Sequence, residues 1–368
     1  MLPNIQRLDF WSPSSHIVRA TIWRIVNVVA QAQNAGNEGF ALSHLKTVQL
    51  AQHDMGPIVD LDSIIPFAGL PSVRTLCGNM VRGRTAVATA PGNVADDHDE
   101  LCQNFKAGRR CPVIRLDIGQ GEGPPYKACS VWPHAPGLSQ VETLHFDYSN
   151  INPQTIELLL PAFKNLRRFE YENGGCWISP DIFMPQNVVK ALLKYQAHSL
   201  QHLEIIDRDG QYYPTFVEDL REFQVLKFVS LDMDLLCKDS GGMGYYGAGR
   251  MTVTRLIDLL PPSIEALCFT CCGNLEEMGL VFEGFAELRA DAIPKLKRLC
   301  FVCGLEDVVR FAEKIGRDAG LEVEIQRGRQ GTNTVAMEAA MDGFLERRSQ
   351  GQKWRRGDPL RWVIPAPR

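Results

Sequence analysis

The chain has 368 residues, of which 45% are hydrophobic and 22% are charged, and its formal net charge is -4 at pH 7. These proportions are ordinary for a folded protein, and the small negative charge provides no overall attraction to nucleic acid or to an anionic membrane surface. No segment approaches the roughly 18 consecutive apolar residues of a membrane-spanning helix, and the first residues lack the basic and apolar stretches of a secretory signal.

A nine-residue pattern, L-x-x-L-x-x-L-x-[LIF], recurs along the chain from its first residues. The stronger copies occupy residues 2–10, 42–50, 138–146, 163–171, 223–231 and 293–301, and weaker copies that lack one anchor occupy 70–76, 113–118, 200–205 and 264–269. Repetition every ~20–50 residues is typical of solenoid proteins. Residues 1–326 are therefore predicted to form an irregular leucine-rich-repeat array of about ten units.

Most gaps between the copies contain a candidate helix, in chain order near 14–29, 152–160, 186–195, 254–260, 275–288 and 306–315. Ser14 and Ser15 are candidate N-caps of the first helix, and Pro153 stands at the first position of the second. Strands and helices alternating in units this short imply a parallel sheet with right-handed crossovers. The predicted fold class is an α/β leucine-rich-repeat solenoid, with a curved parallel sheet on the concave face and helices and loops on the convex face.

Three segments rich in turn-forming residues, 79–110, 119–137 and 238–250, interrupt the pattern and are expected to be loops at the edges of the array. The glycines of 119–137 are followed by two prolines, which block the helix that a phosphate-binding loop requires. The acidic run at 96–100 has no glycine turn that could organise it as a calcium loop. No cofactor is therefore expected.

The end of the chain is predicted to differ from the repeats. Leu321, Val323 and Ile325 alternate as a last strand would. Residues 327–350 are predicted to contain a capping helix, because the terminal unit of a repeat array needs a cover. Residues 351–368 are basic with interleaved tryptophans and are predicted to be a disordered tail, with a nuclear-localisation patch as the alternative.

The strand alternation predicts which side chains a partner would meet. In each copy the seventh and ninth positions point into the core with the fourth, while the sixth, eighth and tenth face the concave solvent side. The residues of this face that are predicted to bind a protein partner are Arg115, Asp117, His145, Asp147, Arg168, Glu170, Glu172, Glu204 and Asp232. The alternative is that these acids and bases only pair across strands and keep an exposed sheet soluble.

The chain has 11 cysteines, an odd number that favours a reducing compartment over a disulfide framework, so a cytoplasmic or nuclear location is expected. Cys268 with Cys271 and Cys300 with Cys303 form two C-x-x-C pairs, a spacing that suggests structural zinc. Each pair straddles extended chain rather than a tight turn, and Cys268 and Cys300 share the eighth position of successive copies. We therefore predict stacked thiols and no metal, with these four cysteines as the alternative ligand set.

Three segments resemble fungal F-box/leucine-rich-repeat proteins: LLPPSIEAL at 259–267, LEIIDRDG at 203–210 and the closing run at 312–325. In that family an N-terminal F-box docks on the adaptor of a cullin ubiquitin ligase, and the repeats hold the substrate. The resemblance covers residues 1–326 and implies substrate recognition. No F-box precedes the first repeat, so contact with the ligase adaptor is expected only through an F-box outside this chain.

The 8 histidines are spread through the repeats without ligand spacing, and no Ser/His/Asp or Cys/His arrangement stands out. The sequence therefore predicts a non-catalytic protein-recognition module, with a protein partner on the concave face and no membrane or nucleic-acid partner. A stand-alone scaffold or regulator unrelated to ubiquitination is the first alternative. An enzyme with a loop-borne site is the second.

Overall fold

The computed structural model describes residues 5–11, 25–26, 28–30, 42–51, 59–83, 86–87, 113–116, 128–131, 136–174, 183–207, 216–239, 251–270, 272 and 275–326. The predicted capping helix at 327–350 and the predicted tail at 351–368 lie outside the described residues, and so do Asp117 and Cys271. Within the described part of the chain, no helix combines the length and the apolar character needed to cross a membrane.

The strands form one long parallel sheet and two small antiparallel ones. In chain order the described strands are β1 (Arg7–Trp11), β2 (Thr47–Ala51), β3 (Val59–Asp60), β4 (Thr75–Asn79), β5 (Val81–Gly83), β6 (Ala86–Val87), β7 (Val113–Leu116), β8 (Ala128–Val131), β9 (Thr143–Ile151), β10 (Arg168–Asn173), β11 (His202–Asp207), β12 (Phe228–Asp232), β13 (Cys237–Asp239), β14 (Met251–Val253), β15 (Ala266–Thr270), β16 (Arg298–Val302) and β17 (Glu322–Gln326). The long sheet runs in the order β1-β2-β4-β9-β10-β11-β12-β15-β16-β17, and every pairing along it is parallel. The predicted α/β class with a parallel sheet is confirmed.

The described helices with assigned bounds are α1 (Pro153–Leu159), α2 (Pro185–Gln196), α3 (Leu256–Leu259), α4 (Leu275–Val281), α5 (Phe285–Ala292) and α6 (Glu306–Ala319). α1 begins where the sequence predicts, because the Asn152 side chain accepts a hydrogen bond from the backbone N–H of Gln154 at 2.9 Å. The single helix predicted at 275–288 is two helices, separated where Gly284 adopts a φ of 69°. Residues 25–26 and 28–30 are helical, and the rest of the first predicted helix lies outside the described residues.

The main core lies between the sheet and the helices. Seventh-position side chains stack in register, so that Leu144 pairs with Phe169 and Phe169 with Leu203, and all three are fully buried. Helix side chains such as Ile156 and Leu192 join the same buried cluster. The predicted inward alternation is confirmed. We call the opposite face of the long sheet, which carries the sixth, eighth and tenth positions, the far face.

The prediction that residues 113–118 form a repeat strand is wrong. β7 lies between β6 and β8 in a separate three-stranded sheet, and both pairings are antiparallel. A short apolar run does not distinguish a parallel repeat strand from a hairpin strand, and an antiparallel partner needs no crossover helix. Arg115 therefore does not belong to the far face, and its predicted position on that face is wrong.

The far end of β9 carries a β-bulge beside the candidate site. The pairing of β9 with β10 shifts in register between Tyr171 and Asn173, and Tyr148 adopts a φ of 44° at that point. The backbone N–H of Met80 donates to the Asp147 carbonyl at 2.9 Å. The bulge and this hydrogen bond together position Asp147 at the end of the far face.

Candidate functional site

Three central strands bring five of the chemically active side chains together on the far face. His145 on β9 is the register partner of Glu170 on β10, and Glu170 is the partner of Glu204 on β11. Arg168 and His202 form the parallel pair two residues earlier on β10 and β11, so they share this face. We call His145, Arg168, Glu170, His202 and Glu204 the polar cluster. The predicted assignment of His145, Arg168, Glu170 and Glu204 to one face is confirmed.

The prediction that this part of the face is open to solvent is wrong. Glu170, His202 and Glu204 retain only 3%, 6% and 8% of their exposure. Neighbouring strands lie ~4.8 Å apart, so large side chains in one column contact those of the next strand. The His202 ring stacks on Phe228 of β12, with ring centroids 4.3 Å apart. Aligning equivalent positions of the repeats predicted which face these residues occupy, but it did not predict how closely they pack.

Glu170 is the best-satisfied member of the polar cluster. Its Oε1 accepts a hydrogen bond from the Arg168 guanidinium and its Oε2 accepts one from His145 Nδ1. Burial alone would raise the pKa of the Glu170 carboxyl, but the charge and hydrogen bond of His145 and the charge of Arg168 hold it below its usual range. The carboxylate is therefore ionised at the centre of a buried ion-pair network.

His145 bridges two carboxylates. Its Nε2 lies 2.5 Å from Oδ1 of Asp147, while Nδ1 contacts Glu170. Burial would lower the pKa of His145, but the charges of Asp147 and Glu170 and the hydrogen bonds to both raise it well above its usual value. His145 is thus an imidazolium that donates to both acids.

His202 and Glu204 are buried without the hydrogen bonds that Glu170 makes. His202 Nε2 lies 3.5 Å from Glu170 Oε1 and 3.9 Å from Glu204 Oε2, too far for a hydrogen bond. Neither His202 Nε2 nor Glu204 Oε2 has a hydrogen-bond partner. Burial and the charge of Arg168 lower the pKa of His202 to about 3, and burial with the charge of Glu170 raises the pKa of Glu204 well above its usual value.

Side-chain atoms of Glu170, His202 and Glu204 are close enough to bind the same metal ion. Glu170, His202 and Glu204 each offer an oxygen or nitrogen, and the three atoms lie within 4.8 Å of one another. In the described part of the chain, these three residues are the group of His, Cys, Asp and Glu side chains whose ligand atoms lie close enough together to hold a metal ion. The neutral imidazole of His202 is the form that coordinates metals. The geometry is therefore that of a candidate metal centre.

Two further predicted partner-binding acids are also buried. Asp232 on β12 is 1% exposed, and its carboxylate accepts hydrogen bonds from the Asp207 backbone N–H and the Thr270 hydroxyl. Asn173 Nδ2 donates to Asp207 Oδ1 at 2.8 Å, which extends this polar ladder to β10. Glu172 is buried as well. The prediction that Asp232 and Glu172 face solvent is wrong, and Asp232 instead satisfies groups at the strand ends.

The next strands continue the same columns with apolar and thiol side chains. We call Ile206, Phe228, Ala266, Cys268, Cys300 and Val302, which form one buried cluster, the thiol patch. Cys268 and Cys300 are register partners, as predicted. A sulfur contact with Cys300, together with burial, raises the pKa of the Cys268 thiol well above its usual value. Cys303 belongs to the main core instead, so the described cysteines of the alternative zinc set lie in different clusters.

One accessible part of the far face lies on β1, β2 and β9, and another lies at the β16–β17 edge, where the Glu322 side chain is 65% exposed. Arg7 Nε donates to Asp9 Oδ1 at 2.8 Å, and these side chains are 48% and 21% exposed. Arg7 also donates to Gln49 Oε1 on β2 at 2.5 Å. Asp147, beside His145, is 36% exposed at its side chain. We call Arg7, Asp9, Gln49 and Asp147 the accessible strip.

Sequence reasoning missed His202 as a candidate ligand because it searched for ligand spacings along the chain. The useful signal was across strands. His202 and Glu204 alternate on one strand, and the eighth-position column places Glu170 directly beside Glu204. The sixth and eighth positions of the repeats, which predicted the far face, therefore also include the residues of the polar cluster.

Comparison with known proteins adds no relative. No family model matches the chain, and no curated protein or solved structure matches it. The likeness to fungal F-box/leucine-rich-repeat proteins stays a prediction from the sequence.

Proposed function

We propose that this chain is a non-catalytic protein-recognition module, and that it binds its partner with the far face in the manner of the substrate-binding repeats of an F-box ubiquitin-ligase receptor. The supporting observation is the register of the long sheet. Equivalent positions align from β1 to β17, so side chains distant in sequence form continuous columns on one face. Extended faces of this kind are the binding surfaces of repeat proteins.

The exposed fractions favour a contact surface away from the buried centre, and we place it on the accessible strip of β1, β2 and β9. The central acids predicted to meet a partner are buried, whereas Asp9 and Asp147 of the accessible strip keep partly exposed carboxylates. Arg7 neutralises Asp9 in part, and Asp147 faces the His145 imidazolium. A partner segment with hydrogen-bond donors and a modest positive charge fits this strip.

A stand-alone scaffold or regulator, in the cytoplasm or the nucleus, would use the same surface. The two proposals differ only in the ligase connection, because the chain's own residues supply the recognition face in both. The identity of the co-purifying proteins therefore separates them.

The test is affinity purification of the tagged chain from its own cells, followed by mass spectrometry. The wild-type chain is compared with the double variant Asp9→Asn, Asp147→Asn, which removes both charges and keeps the side-chain shapes. The matched control is Glu287→Gln, Asp291→Asn, on the exposed surface of α5. We expect one set of proteins to be lost with the first variant and kept with the control.

The partners then decide the class. Recovery of a cullin and its adaptor supports the ligase-receptor proposal, and other partners alone support the scaffold. Identical recoveries from wild type and the strip variant would show that the accessible strip is not the recognition surface.

A further inference from the structure

We propose that Glu170, His202 and Glu204 form a binding site for one divalent transition-metal ion of the series from Mn²⁺ to Zn²⁺. The proposal is independent of the recognition function, because it concerns the buried centre of the far face rather than the accessible strip.

The distances between the candidate ligand atoms suit a single ion. His202 Nε2 is 3.5 Å from Glu170 Oε1 and 3.9 Å from Glu204 Oε2. Metal bonds to imidazole nitrogen and carboxylate oxygen are about 2.0–2.2 Å long, so two atoms on one ion can lie up to about 4.3 Å apart. The largest separation in the group is within 4.8 Å, which a small rotation of a glutamate side chain would close.

Two buried atoms of the polar cluster favour a bound cation. His202 and Glu204 are each more than nine-tenths buried, and neither His202 Nε2 nor Glu204 Oε2 has a hydrogen-bond partner. Buried polar atoms in folded proteins are nearly always paired, because leaving them unpaired costs free energy. One cation between Glu170, His202 and Glu204 would satisfy both atoms at once.

The surrounding residues resemble the outer shell of a metal site. Glu170 already accepts hydrogen bonds from Arg168 and His145, which fix the orientation of its carboxylate. The His202 ring is held by its stack on Phe228. Partners of this kind orient the ligands of metal sites.

The donor set selects the class of ion. One imidazole and two carboxylates favour manganese, iron, cobalt or zinc, since calcium and magnesium prefer all-oxygen sites. Glu170 and Glu204 supply the two carboxylates, and Glu170 is already paired with Arg168 and His145. The Arg168 guanidinium lies against Glu170 and limits the affinity, because it repels a cation in the same cluster.

The first experiment uses Co²⁺ and Mn²⁺ as probes of the full chain after removal of metals with a chelator. Co²⁺ gives visible d–d absorption when bound, and a separate near-ultraviolet band when a thiolate is a ligand. We expect one equivalent of Co²⁺ to bind without the thiolate band. Glu204→Gln and His202→Asn should each weaken binding by at least about tenfold.

The matched controls are Glu222→Gln and His198→Asn, which make the same substitutions at exposed positions. Both should bind Co²⁺ as the wild type does, and circular dichroism checks that every variant is folded. The proposal is overturned when the stripped wild type binds neither ion, or when binding is unchanged in both site variants.

X-ray absorption of the Zn²⁺-loaded wild type provides a second measurement that needs no variant. We expect oxygen and nitrogen neighbours with imidazole scattering and no sulfur. A sulfur shell would assign the metal to the cysteines and refute the glutamate–histidine site.

Discussion

The polar cluster and the thiol patch lie side by side on one face of one sheet, yet they are buried in opposite chemical ways. Glu204 of the cluster and Cys268 of the patch occupy the same column, with Ser230 between them. On one side of Ser230 lie buried or half-buried acids, histidines and an arginine, and on the other side the buried groups are mainly apolar. The backbone framework is the same, so the difference lies entirely in the side chains.

That contrast separates stability from function. The thiol patch buries apolar surface, and each Å² of apolar surface buried stabilises the folded state by about 25 cal/mol. Replacing a buried ion network by apolar side chains is often neutral or stabilising, so stability alone does not require the polar cluster. Residues that break the pattern of their neighbours without a gain in stability are typical of functional sites.

The largest expected effect comes from breaking the cluster at its centre. Glu170→Leu removes the carboxylate that accepts from Arg168 and His145, which leaves Arg168 without this partner and His145 with Asp147 alone. We expect a loss of about 3–5 kcal/mol in the free energy of unfolding, measured by urea denaturation.

The matched control for Glu170→Leu is the same substitution in an exposed ion pair. Glu142 lies 3.8 Å from Arg74 and 3.5 Å from Arg167, and its side chain is 38% exposed. Glu142→Leu should change the free energy of unfolding by less than about 1 kcal/mol. Equal losses in the two variants would show that the buried network has no special weight.

A smaller effect is expected from placing a polar group in the thiol patch. Cys268→Ser exchanges a buried thiol for a hydroxyl beside Cys300. We expect a loss of about 1–3 kcal/mol by urea denaturation, because the hydroxyl must give up water. Cys77→Ser, in the same column but close to His145, should cost less than Cys268→Ser, and the reverse order would contradict the contrast between the two regions.

The opposite sign is expected at the edge of the polar cluster. Glu204 has a buried oxygen without a hydrogen-bond partner, so Glu204→Leu removes an unsatisfied group instead of breaking a pair. In chelator-treated protein we expect the free energy of unfolding to rise by about 1 kcal/mol. A fall as large as that of Glu170→Leu would mean that Glu204 is paired in the metal-free protein.

The sequence predicts the sheet well because apolar alternation reflects burial directly. Leu144 and Phe169 are buried register partners, as the seventh-position rule requires. The pattern fails at 113–118, where a short apolar run belongs to β7 in an antiparallel sheet. A short apolar run contains too few residues to predict which strand it will pair with.

The candidate site is only half predictable for a different reason. The columns place Glu170 beside Glu204, but polar letters in a strand carry no information about how deeply they are buried. The missing hydrogen bonds of His202 depend on ångström-scale geometry. The sequence therefore predicts the face on which a side chain lies, but it does not predict whether that side chain is buried or whether its hydrogen bonds are formed.

The smallest expected effect lies at the accessible strip, and it completes the contrast along the far face. Arg7 pairs with Asp9 and Gln49, but its side chain is 48% exposed. Arg7→Ala should therefore lower the free energy of unfolding by less than about 0.5 kcal/mol in urea denaturation. A loss above about 1.5 kcal/mol would mean that the strip has a structural role. A side chain whose loss costs so little stability is available for contacts with a partner, whereas Glu170 of β10 is held in place by Arg168 and His145.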